Sequence, residues 1–235
     1  MSDDRRHQLE RGLATVHQRI ARAATDAGRS PSDVTLVVVT KFFPASDVRL
    51  LHELGVRHVA ENRHQEAVAK HGECRELDLT WHFVGGLQSN KAAAVGSWAD
   101  VVHSVDRAKL LTGLSRAAHE TDRVLDVLLQ VSLDPPGSGE GRSGVAPAEA
   151  AALAAAVQDA EGLRLRGVMG VAPLGGDPVE AFALLGRVAG DVRQVEPAAT
   201  WVSAGMSGDL EAAVGAGATH VRVGSAVLGN RPSRR

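Results

Sequence analysis

Tyrosine is absent from the 235-residue chain, and cysteine occurs once. A lone cysteine can form neither an internal disulfide nor a zinc site by itself, and Cys74, within the polar stretch GECREL, reads as incidental. Long apolar runs are missing too: nothing approaches the ~20 residues of a membrane span. The N-terminal MSDDRRHQLERGLA lacks the apolar core of a secretory signal. These absences point to a soluble cytoplasmic chain with no membrane partner. A formal net charge of -2 provides neither the basic field needed to grip nucleic acid nor an acidic tail. Lysine is scarce: of 26 basic residues only Lys41, Lys70, Lys91 and Lys109 are lysines, so each invites a question.

What is present is a regular alternation. Residues 4 to 27 carry Leu9, Leu13, Val16, Ile20 and Ala24 at helical spacing, stopped by Gly28 and Pro31. Eight short β-branched runs follow, at 34–40, 56–61, 80–85, 100–105, 125–132, 163–171, 200–205 and 219–224. Helical stretches separate them, among them 45–54, 107–120, 147–160, 178–194 and 207–216. Strands alternating with helices give a parallel sheet, and eight of them over about 250 residues suit a closed barrel. The expected fold is therefore α/β, a (β/α)8 TIM barrel with an extra N-terminal helix, as one domain over residues 1–235. An open doubly wound sheet is the alternative, but GxGxxG is missing after the first strand, which runs into TKFFPAS. The Gly- and Ser-rich stretch 135–144 reads as a mobile loop on the barrel's active face.

Barrel sites are built from the C-terminal ends of strands. Here those ends carry Lys41, Glu61 with Asn62, His82, Ser104, Gln130, Ser203 with Gly205, and Arg222 with Gly224 and Ser225, which reads as a polar ring over an apolar barrel. At the mouth of the strand VTLVVVT, partial desolvation would favour a nucleophilic amine on Lys41, suited to a Schiff base; a solvated strand-end lysine is the bland alternative. In THVRVGSAVLGN, alternation sends Arg222 toward the mouth, and Gly224 and Ser225 open a short helical turn whose N–H groups suit an anion. Strand seven adds the Ser203 hydroxyl, a permissive Gly205, and Ser207 as a helix N-cap followed by Asp209. A lysine, an arginine and an anion cradle on one rim ask for a phosphorylated aldehyde, with pyridoxal 5'-phosphate (PLP) the leading candidate.

The segments VVVTKFFPASDVRLLHELGVRHVAENRHQEA, WHFVGGLQSNKAA, VHSVDRAKL, LRGVMGVAP and VSAGMSGDLEAAVGAGATHVRVGSAVLGNR resemble the pyridoxal phosphate homeostasis proteins, the alanine racemase N-terminal-domain-like family. The resemblance implies PLP joined to Lys41, its phosphate held by Ser203 and the Gly224–Ser225 backbone, and Arg222 facing the pyridine nitrogen. It also implies that Asn62 and His82 line the pocket near the ring, although a histidine packed in the barrel mouth is an equal reading of His82. Arg63 stands where the family usually has an aromatic residue, Ala204 where methionine is common, and Arg142 where lysine is frequent. With no tyrosine and a chain that stops soon after strand eight, a two-base racemase is not expected. The expected role is non-catalytic: intracellular PLP (vitamin B6) homeostasis by a monomer, with PLP-dependent apo-enzymes as partners for the cofactor. A weak PLP-dependent racemase or lyase is the alternative. A metal-dependent hydrolase using His82, His103 and His220 is a third reading, against which the first strand carries no HxH pair.

Overall fold

Eight short strands pair side by side in chain order, all in parallel, until the last closes on the first. In this computed structural model, residues 2–135 and 143–230 are described, so most of the 135–144 loop, Arg142 included, lies outside the described residues. The strands are β1 Thr35–Val39, β2 His58–Glu61, β3 Thr80–Phe83, β4 Val101–Val105, β5 Leu125–Gln130, β6 Leu163–Met169, β7 Trp201–Ser203 and β8 His220–Val223. Closure is a four-residue register, Thr35 opposite His220 through Val38 opposite Val223. The fold is the expected (β/α)8 barrel.

The helices are α1 Ser2–Asp26, α2 Ala45–Glu53, α3 His64–Glu73, α4 Ala92–Gly96, α5 Leu111–Glu120, α6 Ala150–Gln158, α7 Pro178–Val195, α8 Leu210–Gly215 and α9 Ser225–Leu228. Outward-facing strand residues such as Val38, Val59, Val102, Leu129 and Val221 form with the helices one continuous apolar layer. The buried stripe of α1, Leu9 through Ala24, packs on α8 and α9. Gly12 lies so close to α9 that a Cβ there would sit 2.4 Å from the Val227 carbonyl oxygen. The sequence reading did not single out α3 and α4. Cys74 is buried at the end of α3, with Sγ 3.7 Å from the Ala45 carbonyl.

The expected apolar barrel is a correction of larger consequence. Val101, Leu128 and Met169 do form a small apolar cluster inside, with Val171 and Trp201 against it. Period-two alternation also sends His58, His82, His103, Ser203, His220 and Arg222 inward, and burial is tolerated because all but His220 bond to one another and His220 bonds to the Thr219 hydroxyl.

Candidate functional site

Lys41 follows β1 in a turn that is held from outside the barrel. Glu61 turns away from the mouth toward α3, where its Oε1 accepts from Lys70 Nζ at 2.5 Å and from the Thr40 hydroxyl at 2.7 Å. Lys70 also donates to the Thr40 carbonyl at 2.9 Å, and Glu66 accepts the Phe42 N–H at 2.5 Å. Phe42 is left in the left-handed region at φ 71°. Thus the residues flanking Lys41 on both sides are pinned by one cluster, the buried Glu61 and Lys70 with the half-buried Glu66. Burial pushes the Glu61 carboxyl up from its ordinary range, an effect opposed by the Lys70 charge. Lys41 Nζ lies 5.9 Å from the Phe42 ring centroid, and the Arg63 guanidinium covers the same ring at 5.1 Å. Arg63 thereby packs on an aromatic residue of the Lys41 turn.

The Lys41 turn forms one wall of a cleft of about 420 Å³. Phe42 and Phe43 line its side; Met206, Ser207 and Gly208 come from the turn after β7, and Arg222, Gly224 and Ser225 from the end of β8. The volume falls in the range of roughly 300–1,000 Å³ that suits a small ligand. Arg222 is fixed from below: Nη1 donates to Ser203 Oγ at 2.7 Å and Nη2 to the Gly170 carbonyl at 2.9 Å. Burial draws this guanidinium down to about 10, against the opposing field of Asp209. Gly205, at φ 89°, accepts the Arg222 N–H through its carbonyl and so ties the β7 turn to β8.

The turn after β7 differs from the expected capped helix. Helix α8 starts at Leu210 because Asp209 accepts the Met206 N–H at 2.6 Å and closes a turn first. Ser207 is therefore not an N-cap. Its Oγ lies 3.2 Å from Ser225 Oγ and accepts the Ala226 N–H at 3.3 Å. One N–H of the expected open cradle is thus already bonded to a hydroxyl of the cleft wall.

The structure brings Lys41, Arg222, Gly224 and Ser225 to one cleft. Ser203 lies one step beneath it, buried between Arg222 and His103. His82 is deeper, with both ring nitrogens engaged: Nε2 lies 3.0 Å from His58 Nδ1, and Nδ1 lies 2.8 Å from His103 Nε2. Desolvation holds the imidazoles of His82 and His103 well below their ordinary range and His220 at about 3. Asn62 lies against a separate hollow with Arg63 and Lys91, its Oδ1 buried without a protein partner. Among the described residues no group of three His, Cys, Asp or Glu side chains is arranged to hold a metal ion, and no helix is long and apolar enough to cross a membrane. Sequence reasoning missed the Lys70 cluster and the role of Ser207. The scarcity of lysine and the i, i+4 spacing of Glu66 and Lys70 were the available signals for the first.

A lysine after β1 facing an arginine and a serine-lined turn after β8 defines a barrel of the alanine racemase type. The family model "Alanine racemase, N-terminal domain" matches residues 13–232. The pyridoxal phosphate homeostasis protein of Mycobacterium tuberculosis is 44% identical over 98% of this chain and 96% of its own length. That of Escherichia coli is 37% identical over 96% and 97%. PipY of Synechococcus elongatus, solved with PLP bound, superposes with a TM-score of 0.81 at 36% identity, covering 94% of this chain and 100% of that one. The chain belongs to the pyridoxal phosphate homeostasis protein family.

Proposed function

We propose that this protein binds PLP reversibly as a Schiff base on Lys41 and serves intracellular PLP homeostasis without catalytic turnover. The observation that carries the reading is the meeting of Lys41, Arg222, Gly224 and Ser225 around one cleft. The donor set fits a phosphorylated aldehyde: an amine to join the carbonyl, and hydroxyl and backbone groups at Ser207, Gly224 and Ser225 for the phosphate. PLP supplies the aldehyde; the protein supplies the anchor, the anion cradle and the charge beside the ring. The names of the relatives and the PLP bound to PipY support the same reading.

Arg222 is the partner for the pyridine nitrogen. A guanidinium only donates, so it cannot relieve that nitrogen of a proton and its charge disfavours one there. A ring kept unprotonated is a weak electron sink, which argues for holding rather than carbanion chemistry. Ser203 and Gly205 belong to the site through Arg222; His82 reaches it only through His103 and Ser203 beneath the cleft, and Asn62 lines the neighbouring hollow rather than the cleft itself. The whole of residues 1–235 acts as one barrel domain, as a monomer, with PLP-dependent apo-enzymes as recipients.

Purified protein mixed with PLP is expected to show a visible absorption band that borohydride traps onto Lys41 and that Lys41→Ala abolishes. Survival of the band in Lys41→Ala would overturn the assignment. Steady turnover of an amino acid, lost in the same variant, would favour a weak racemase or lyase instead.

A further inference from the structure

A file of hydrogen-bonded side chains runs inside the barrel from the cleft floor toward the opposite face: Arg222, Ser203, His103, His82, His58. The links are 2.7 Å from Arg222 Nη1 to Ser203 Oγ, 3.0 Å to His103 Nδ1, 2.8 Å from His103 Nε2 to His82 Nδ1, and 3.0 Å from His82 Nε2 to His58 Nδ1. Ser203, His103 and His82 are fully buried, whereas His58 is partly exposed. Each histidine uses Nδ1 on its Arg222 side, and His103 and His82 use Nε2 on the other.

That order gives the file a direction. Arg222 can only donate, so Ser203 must accept from it. If His103 also donated from Nδ1, the Ser203 hydroxyl hydrogen would be left in the interior with no acceptor among its bonded partners. The satisfied arrangement has Ser203 donating to His103 Nδ1. His103 must then carry its proton on Nε2 and donate to His82, and His82 in turn carries its proton on Nε2 and donates to His58. One donor-only head thus sets the tautomer of each ring in sequence.

We propose that Ser203, His103, His82 and His58 form a polarised positioning file for Arg222: the guanidinium fixes all three histidines as Nε2–H tautomers, and the file in return fixes the guanidinium against the cleft. His103, His82 and His58 touch no ligand in this scheme; they act through Ser203 on Arg222. The fork is held at two points, Ser203 Oγ and the Gly170 carbonyl, while the residue lines the cleft. The inference rests on the proposed function only for the identity of the ligand.

The ligand-free protein tests the file first, by long-range 15N–1H NMR of the imidazoles. His82 and His103 are expected as Nε2–H tautomers by at least about tenfold, the ratio that follows from one unsatisfied buried donor in the alternative. A mixture, or Nδ1–H at either ring, overturns the proposal. His58→Ala should leave both tautomers unchanged, because the direction is set from Arg222; Arg222→Leu should mix them. The reverse pattern places control at the His58 end and refutes the scheme. Addition of PLP should shift the His58 imidazole resonances in the parent protein but not in His103→Phe, with folding of the variant checked by circular dichroism. A shift that persists in His103→Phe refutes transmission through the file. Should His103→Phe not fold, His82→Leu, which can neither accept nor donate, takes its place, with the same outcomes. Absence of any PLP band would sink the ligand assignment while leaving the tautomer measurement standing.

Discussion

Lys70 Nζ sits 2.5 Å from Glu61 Oε1 and 2.9 Å from the carbonyl of Thr40, the residue before Lys41. Both side chains are buried, Lys70 at 4% and Glu61 at 0% exposure, so neither charge can fall back on water. Lys70→Met should therefore destabilise the protein by about 3–5 kcal/mol, the cost of leaving one buried charge without its partner. Urea unfolding checks the value. The double variant Lys70→Met with Glu61→Gln should recover a large part of it, and a double variant as unstable as the single one would show that packing, not charge, sets the cost.

The buried histidines make stability depend on pH in a defined direction. His82 and His103 are held well below their ordinary range and His220 at about 3, so all three stay neutral in the folded state at pH values where the unfolded chain protonates them. The unfolded state thus binds more protons below about pH 6.5, and stability falls as pH drops through that value toward the folded-state range. Each such histidine contributes a slope of up to about 1.4 kcal/mol per pH unit. Urea midpoints should be level above about pH 7.5 and decline below about pH 6.5. His220→Gln should lessen the decline, and a level profile down to about pH 5 would contradict neutral burial.

Gly205 tests the tie between the turn after β7 and β8. Its φ of 89° disfavours a side chain, and an added Cβ would lie 2.6 Å from Ala213 Cβ and 3.1 Å from Leu210 Cα. Gly205→Ala should cost about 1–3 kcal/mol in stability and displace the Arg222 backbone that bonds to its carbonyl. Weaker PLP binding should accompany the loss. Unchanged affinity in a destabilised variant would separate the turn from the site.

The serine-lined wall should discriminate by phosphate. Pyridoxal lacks the group that Ser207, Gly224 and Ser225 are proposed to hold, and hydrogen bonds to a charged group contribute about 1.5–3 kcal/mol each. Pyridoxal should bind at least about tenfold more weakly than PLP in a direct titration. Ser207→Ala with Ser225→Ala should narrow the gap; equal affinities in the parent protein would remove the cradle from the reading.

Much of this was legible in the chain. Strand ends in a parallel barrel share one face, so counting strands was enough to put Lys41 and Arg222 on one rim. The interior was not legible. His58 and His82 are 24 positions apart, and His82 and His103 are 21; alternation predicts that each points inward, but barrel stagger decides which inward side chains meet. Ser207 was misplaced because SGDLEAAV reads as a capped helix, while the Asp209 contact to the Met206 N–H spends those residues on a turn.

The close seat of Gly12 against Val227 joins the first helix to the last. β1 likewise finds one of its two neighbours in β8, some 185 residues later, as Thr35 opposite His220 records. Ribosomal synthesis delivers α1 and β1 well before β8 and α9, so the stripe from Leu9 to Ala24 waits uncovered while the strands between are made. Chains interrupted before β8 would carry two open sheet edges and a bare apolar helix, a combination prone to self-association. The turn after β8 therefore does double duty: Gly224 and Ser225 border the cleft, and Val227 of the same turn seats α1 and seals the barrel against its own nascent forms.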